Sequence, residues 1–470
     1  MFKDFLNHIA EFIADFFSKE ESWFILFFLG MVIVIPFFSI SDFWAVIVSF
    51  IKLTWWFWIF SPLFLLWRAI FLHIQRERFK RKMKSALFEM QVPRNMEKSP
   101  KAMEQILSTM QTLRSAPRNS VEKYLKGKVP LWFSLELVSF GGKLRFFIRT
   151  PEENKDVVEA AFFSYYTNVE LQEVNDYMDL FPKTSREILE QNREIWGTEY
   201  ILARDDAYPI KTYTHFESDA ITKHDETKQI EIKQFDPISN LLEVLGKVRE
   251  GEVACVHILI EPADSDWKDA WDDLILKLKT PKTVDVGKGE DKKTIPMHSP
   301  GHEETLKEVE RNLSKQAFET LIRVFYISPK EIFSDAYIKS GIFGAFNQYS
   351  SPNFNAFKAN SAAGTGISGL KFLWKAIRTD YHKEMFFHNA RNRLLPPESW
   401  IGRLLTSYPF GFNFASKKFI MNVEALATIF HPPASLVLTS PHMKRVESRK
   451  TGPQSGLDIF GDENEIEKFK

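Results

Sequence analysis

WFSLELVSFGGKLRFFIRT, residues 132–150, decides how the polar part of this chain folds. Two runs of apolar and aromatic residues flank Gly141 and Gly142, and a two-residue glycine turn between alternating runs predicts a β-hairpin. Upstream, LFEMQV at 87–92 alternates like a short strand and stops at Pro93. Ser99 and Pro100 then supply an N-cap and a first-turn proline, and Met103, Ile106, Leu107, Met110 and Leu113 fall on one helical face. Downstream, Pro151, Glu152 and Glu153 open a second helix, NKDVVEAAFFSYY, with Val157, Val158, Ala161, Phe162 and Tyr165 on its apolar side. VELQEV at 169–174 reads as the last strand. Strand, helix, strand, strand, helix, strand is the split βαβ, or ferredoxin-like, order, predicted for a first domain over 85–176. Its sheet has one helix-covered face; the other must meet a second domain, another subunit or solvent.

A related pattern follows over 196–350. After an irregular stretch from Tyr177 to Trp196, EYILARDDAYPIKTY looks extended, ISNLLEVLGKV is an amphipathic helix, and VACVHILIEP is a buried strand. A charged insert at 264–300 comprises a helix, DSDWKDAWDDLILKLK, and a loop, TPKTVDVGKGEDKKT, too poor in apolar residues to pack. HEETLKEVERNLSK then reads as a helix, AFETLIRVFYIS as a strand, and Pro329 as the start of the helix KEIFSDAYIKSGIFGAFNQY. The predicted fold class is α+β with tandem ferredoxin-like units. A connecting helical segment, 351–440, and a polar tail, 441–470, complete the chain.

The N-terminal end has a different chemistry. Beyond a short segment, 1–22, WFILFFLGMVIVIPFFSI at 23–40 is uncharged and long enough for one bilayer span, and LTWWFWIFSPLFLLW at 53–67, extending to Leu72, is a second. Residues 23–74 therefore read as a transmembrane helical hairpin with Phe43–Ile51 at the interface, and tryptophans cluster at its ends. Arg68, Arg76, Arg78, Lys80, Arg81, Lys82 and Lys84 follow the second span, so both termini and the soluble domains are expected on the cytoplasmic side. Arg76, Arg78, Lys80, Arg81 and Lys82 are also candidate contacts for phosphate or anionic lipid.

With 61 basic and 61 acidic residues, no global field advertises nucleic acid as a partner. Cys255, the single cysteine, reads as a buried, inert thiol. No Gly-Lys pair is followed by Ser or Thr in P-loop spacing. GTGISG at 364–369 matches a dinucleotide fingerprint by spacing, but the preceding NSAA does not read as the buried strand that site needs. His298, His302, Glu303 and Glu304 offer metal ligands, yet Pro300 and Gly301 between the histidines favour a capped helix start. The stretch 370–395 carries Lys371, Lys375, Arg378, Lys383, Arg391 and Arg393 among aromatics, the best local candidate for phosphate backbone or lipid beside the simpler reading of a solvated helix face. No catalytic, cofactor or metal residues are predicted, and the chain is expected not to be an enzyme.

LFEMQVPRNMEKSPKAMEQILSTM at 87–110, FSLELVSFGGKLRFFIRTP at 133–151 and LSKQAFETLIRVFYIS at 313–328, with FIMNVEALATIFHPP and VESRKTG further on, resemble an uncharacterised domain family of small-genome bacteria. Its members lie between membrane helices and a P-loop coupling ATPase of type IV secretion or conjugation. The resemblance implies a bacterial inner-membrane setting and a scaffold that docks a separate ATPase or other secretion subunits in trans, because this sequence stops about where the motor would begin. It carries over no functional residues. The alternative is a membrane-tethered module that binds nucleic acid or anionic lipid; self-association is compatible with either.

Overall fold

The computed structural model describes residues 43–93, 98–117, 119, 121–216, 236–280, 282–286, 293–297, 300–367, 374–397 and 414–433. The first span of the expected hairpin, 23–40, lies outside them. Helix α1 runs Phe43–Lys82 without interruption, so Phe43–Ile51 joins the helix and Pro62 lies within it. Its stretch Lys52–Lys82 is long and apolar enough to cross a membrane. Leu53, Trp55, Trp56, Phe60 and Trp67 are all more than half exposed.

The chain divides into two compact units, Met1–Phe71 and Leu72–Lys470. The second is built on an antiparallel nine-stranded sheet. In its first half lie β1 (Ser85–Gln91), α2 (Lys101–Thr112), β2 (Phe133–Phe140), β3 (Lys143–Pro151), α3 (Lys155–Tyr165) and β4 (Glu170–Val174). The quoted hairpin forms as the sequence predicts, Phe140 pairing with Lys143 across Gly141 and Gly142. The stretch expected to be irregular holds a 3-10 turn, Tyr177–Leu180, and a short helix α4, Ser185–Glu190, whose N-cap Thr184 accepts from the Glu187 amide. β5 then starts at Arg193 and ends at Leu202.

The second half continues with α5 (Ser239–Gly246), β6 (Val253–Pro262), α6 (Asp272–Lys279), β7 (Lys282–Val286), β8 (Lys293–Met297), α7 (Pro300–Leu313), β9 (Ala317–Pro329) and α8 (Asp335–Asn347). It closes with β10 (Phe357–Gly364), α9 (Lys375–Arg391), β11 (Phe419–Asn422) and α10 (Val423–Ile429). The insert's expected loop carries a two-stranded ladder, Lys282–Val286 against Lys293–Met297, because Thr283, Val284, Ile295 and Thr294 supply β-branched residues on both sides of the polar stretch. The helix after Pro329 starts six residues later, at Asp335, beyond a turn.

The strand order is β10-β5-β9-β6-β2-β3-β1-β4, with β11 added beside β9. It is palindromic: counted within each half the order is 4-1-3-2, and the second strands, β2 and β6, meet at the centre over Phe133–Phe140 and Val253–Ile260. The halves differ at one connection. β2 and β3 are joined by two glycines, whereas the insert separates β6 from β9.

One face packs under α2, α3, α5, α8 and α10 through Met103, Ile106, Phe162, Leu242, Ile342 and Leu426, all fully buried. The other face, left open by the sequence, is covered at its centre by Tyr177, Ile188, Phe386 and Phe387, and at one end by Phe79 and Met83 of and after α1. Burial on both faces explains why β6 and β9 read as near-continuous apolar runs. Near β4 the second face is polar, with Glu170 and Gln172 exposed.

Candidate functional site

Four neighbouring strands, β5, β9, β6 and β2, each bring a charged residue or a histidine to the same level of the sheet. Register aligns them: Glu136 of β2 lies opposite His257 of β6, His257 opposite Arg323 of β9, and Arg323 opposite Glu199 of β5. All four are completely buried. They form a polar row across the middle of the sheet, on the face that α9 covers.

Buried charges persist only when paired and hydrogen-bonded. The Arg323 guanidinium donates to Glu199 Oε1 from Nε at 3.1 Å and from NH2 at 2.7 Å, and NH1 donates to the Asn389 carbonyl at 2.9 Å. Ser416 donates to Glu199 Oε2 at 2.5 Å. Arg393, just beyond α9, reaches Glu136 through Nε at 3.0 Å and NH2 at 3.1 Å, and Asp176 through NH1 at 2.5 Å. Its backbone is left-handed, φ 49°, and the Trp132 indole donates to its carbonyl at 2.8 Å. That strained conformation aims the guanidinium inward.

The Tyr177 hydroxyl lies 2.5 Å from Glu136 Oε2 and 2.6 Å from His257 Nε2. Its single proton goes to the carboxylate, so neutral His257 donates Nε2–H to the phenol oxygen. Burial holds the His257 imidazole down at a pKa of about 4, against the opposing pull of Glu136. Burial also resists ionisation of Glu136, but the charge and hydrogen bonds of Arg393 outweigh it and keep the carboxyl well below its ordinary range. Tyr177 and Cys255 are both pushed up, first by burial and then by Glu136. Glu136 therefore stays charged and His257 neutral near pH 7. Beyond the contacts between strands, the row's hydrogen bonds reach Tyr177 of the 3-10 turn, Asn389 of α9, Arg393 and Leu394 just after it, and Ser416 before β11.

A second polar centre lies on the helical face. Glu424 opens α10 and accepts from Thr212 at 2.5 Å, Thr214 at 2.8 Å and Arg311 at 3.0 Å, while Lys315 bridges it to Glu104 at 2.5 and 2.6 Å. Burial opposes its charge, yet the Lys315 and Thr212 hydrogen bonds prevail and lower its pKa.

The predicted contact residues separate into three groups. Arg78, Arg81 and Lys82 are exposed; Arg76 and Lys80 are half-buried, Lys80 pairing with Glu77 at 3.2 Å. Both line a cleft with His73, Trp132, Glu261, Leu395, Pro397 and Lys418. Lys371 lies outside the described residues and Lys375 is exposed. Arg378 and Arg393 are buried, and Arg391 donates to the Phe181 and Pro182 carbonyls at 2.8 and 3.0 Å. These three arginines face the protein interior, because α9 is a cover on the sheet and not a solvated rod.

GTGISG starts at the end of a strand after all: FKANSAAG forms β10, on the sheet edge beside β5. A Cβ on Gly364 would lie 2.9 Å from the Gly197 carbonyl, and Thr365 exchanges backbone and hydroxyl hydrogen bonds with Gly197, so close backbone approach accounts for the glycine. His302 donates from Nε2 to the Leu278 carbonyl at 3.0 Å, while His298 lies outside the described residues.

Sequence reading missed the buried row. Its signal was one ionisable residue inside each of LEL, VHI, IRV and TEY, runs otherwise suited to a two-faced core. Only register shows that the four coincide.

A search of the curated proteins finds no match. The family model described as a domain of unknown function, DUF8128, matches residues 74–445. That span contains every strand of the large sheet and both polar centres, and the chain belongs to the DUF8128 family.

Proposed function

We propose that this protein is a membrane-anchored, non-enzymatic scaffold that positions a partner, an ATPase or another subunit of secretion or conjugation machinery, on a rigid α+β platform. The observation that carries the anchor is α1: exposed aliphatic and aromatic side chains through Trp67, then Lys80, Arg81 and Lys82 in the last turn of the same helix. A basic turn after an apolar span favours retention on the cytoplasmic side of a bacterial inner membrane. The sequence-predicted span 23–40 would complete a hairpin.

The platform is read as two split βαβ units joined edge to edge, from the 4-1-3-2 order repeated on either side of β2 and β6. Support for a scaffold comes from the buried row, whose ionisable groups are engaged with one another and with covering segments instead of facing a substrate. The ATPase partner rests on the sequence resemblance alone. Nucleic-acid or lipid binding through α9 is disfavoured by the inward placement of Arg378, Arg391 and Arg393, which leaves the end of α1 as the basic surface for the alternative reading.

The test is purification of the tagged full chain from carbonate-washed membranes, followed by mass spectrometry. Retention in the washed membranes with stoichiometric co-recovery of a P-loop ATPase supports the proposal. Release by carbonate overturns the anchor, and ATP hydrolysis by the isolated chain overturns the scaffold.

A further inference from the structure

β4 ends the large sheet, and among the described residues nothing pairs with its outer side. The five residues Glu170–Val174 thus present backbone N–H and C=O groups over about 17 Å, a template for one more strand. The opposite edge is built differently. β10 is broken by a bulge between Asn360 and Gly364, and the Ala415 amide donates to the Ala362 carbonyl at 3.0 Å, so that ladder is interrupted and partly occupied.

Two surfaces flank the open edge. Leu171 packs in the core under the helices and Glu173 takes Lys155 of α3, so both point to the helical face; Glu170 and Gln172 alternate with them and point to the other. Lys155, Glu159 and Phe163, each four residues apart, run along one side of α3, and the Lys155 contact turns that side toward β4. Phe163 is 45% exposed. Glu173 is answered by Lys155, whereas Glu159 and Glu170 have no ion-pair partner among the described residues.

Those carboxylates decide between occupants. Pairing with a second β4 would crowd Glu170 and Glu173 of both copies into two short strands, where like charges repel. A cationic strand meets complementary charge instead. We infer that β4 is the docking edge for an extended segment of a partner protein, added as one more strand, with lysine or arginine at the alternate positions beside Glu170 and apolar side chains toward Phe163. Main-chain hydrogen bonds supply the affinity of such an addition and the alternation supplies its selectivity. The inference rests on the scaffold reading and names the surface by which the partner is held.

The experiment uses the detergent-solubilised full chain and three fluorescent eight-residue peptides: valine alternating with lysine, valine alternating with glutamate, and the lysine peptide with its two central valines replaced by proline. Fluorescence anisotropy should show the first binding about tenfold tighter than either of the others, and amide exchange over residues 170–174 should slow in its presence. Glu170→Lys should weaken that binding several-fold, while Glu303→Lys, at an exposed position of α7, should leave it unchanged. Equal binding of the proline-containing peptide overturns strand addition in favour of unspecific charge. Unchanged exchange over 170–174 overturns the choice of edge. Protection of 170–174 that rises with protein concentration in the absence of peptide puts a second copy there and overturns the heterologous partner. Failure to recover an ATPase from washed membranes is a separate failure, that of the scaffold reading itself.

Discussion

Arg393 and Glu136 lie 257 residues apart in sequence and meet in a two-pronged contact, Nε to Oε1 and NH2 to Oε2, with neither side chain accessible to solvent. The contact joins the segment after α9 to the central strand of the sheet, and its strength comes from geometry and not from charge alone. Two buried ions repay their desolvation only when hydrogen bonds satisfy the remaining donors and acceptors, as Asp176 and Tyr177 do here.

Removing one partner should therefore cost more than removing both. Arg393→Met is expected to destabilise the protein by about 3–5 kcal/mol, because Glu136 is left charged and buried, and Glu136→Leu combined with Arg393→Met should recover much of that loss. Urea unfolding of the two single variants and the double variant checks this. Additive losses would show that the two groups do not act as a pair.

Stability should depend on pH through His257. Its folded pKa lies at about 4, below the ordinary 6.5, so the unfolded chain takes up a proton that the native protein refuses. Stability contributed by keeping His257 neutral is complete above about pH 6.5 and falls towards pH 4, with a limiting slope of about 1.4 kcal/mol per pH unit. Glu136, held low, adds its own loss only below about pH 4.5. Denaturant midpoints measured between pH 7 and pH 4 should decline for the native protein and decline less for His257→Asn.

Gly127 adopts φ 62°, and an added Cβ would meet the Gln75 backbone. Gly127→Ala should cost about 1–3 kcal/mol from left-handed strain, plus the clash. Faster amide exchange in residues 72–80, with the central strands still protected, would locate the damage. Unchanged protection there would contradict the close approach of Gly127 to the Gln75 backbone.

Cys255 is fully buried, and burial raises its thiol pKa well above the ordinary value. Native protein at pH 8 should resist a disulfide reagent and react fully in denaturant. Rapid native labelling would contradict the closed centre of the sheet.

Local sequence revealed the elements but not how they combine. Pro100 and the Met103 to Met110 stripe marked α2, and Gly141 and Gly142 marked the hairpin, because caps, periodicity and turn chemistry act over a few residues. The start of β5 at Arg193 was hidden because Glu194 and Gly197 dilute the apolar pattern; Gly197 is needed where a side chain would strike Phe386. Basic residues of α9 and just after it looked like a solvent face since their partners, Glu194 for Lys383 and Glu136 and Asp176 for Arg393, come from strands and turns roughly two hundred residues upstream. Register between distant strands, which made a row of Glu136, His257, Arg323 and Glu199, has no local signature at all.

The seam between β2 and β6 has a mechanical consequence. Joined only by a linker, two such halves would rotate freely and any pull on α1 would dissipate in a hinge. Eight paired residues across the join, continued by β9 and clasped by α9, make the sheet behave as a single beam. Force or displacement applied where Phe79 and Met83 grip Leu259 and Leu321 must travel across all its strands, so a partner bound near β4 or β10 would feel it as a tilt of the whole surface.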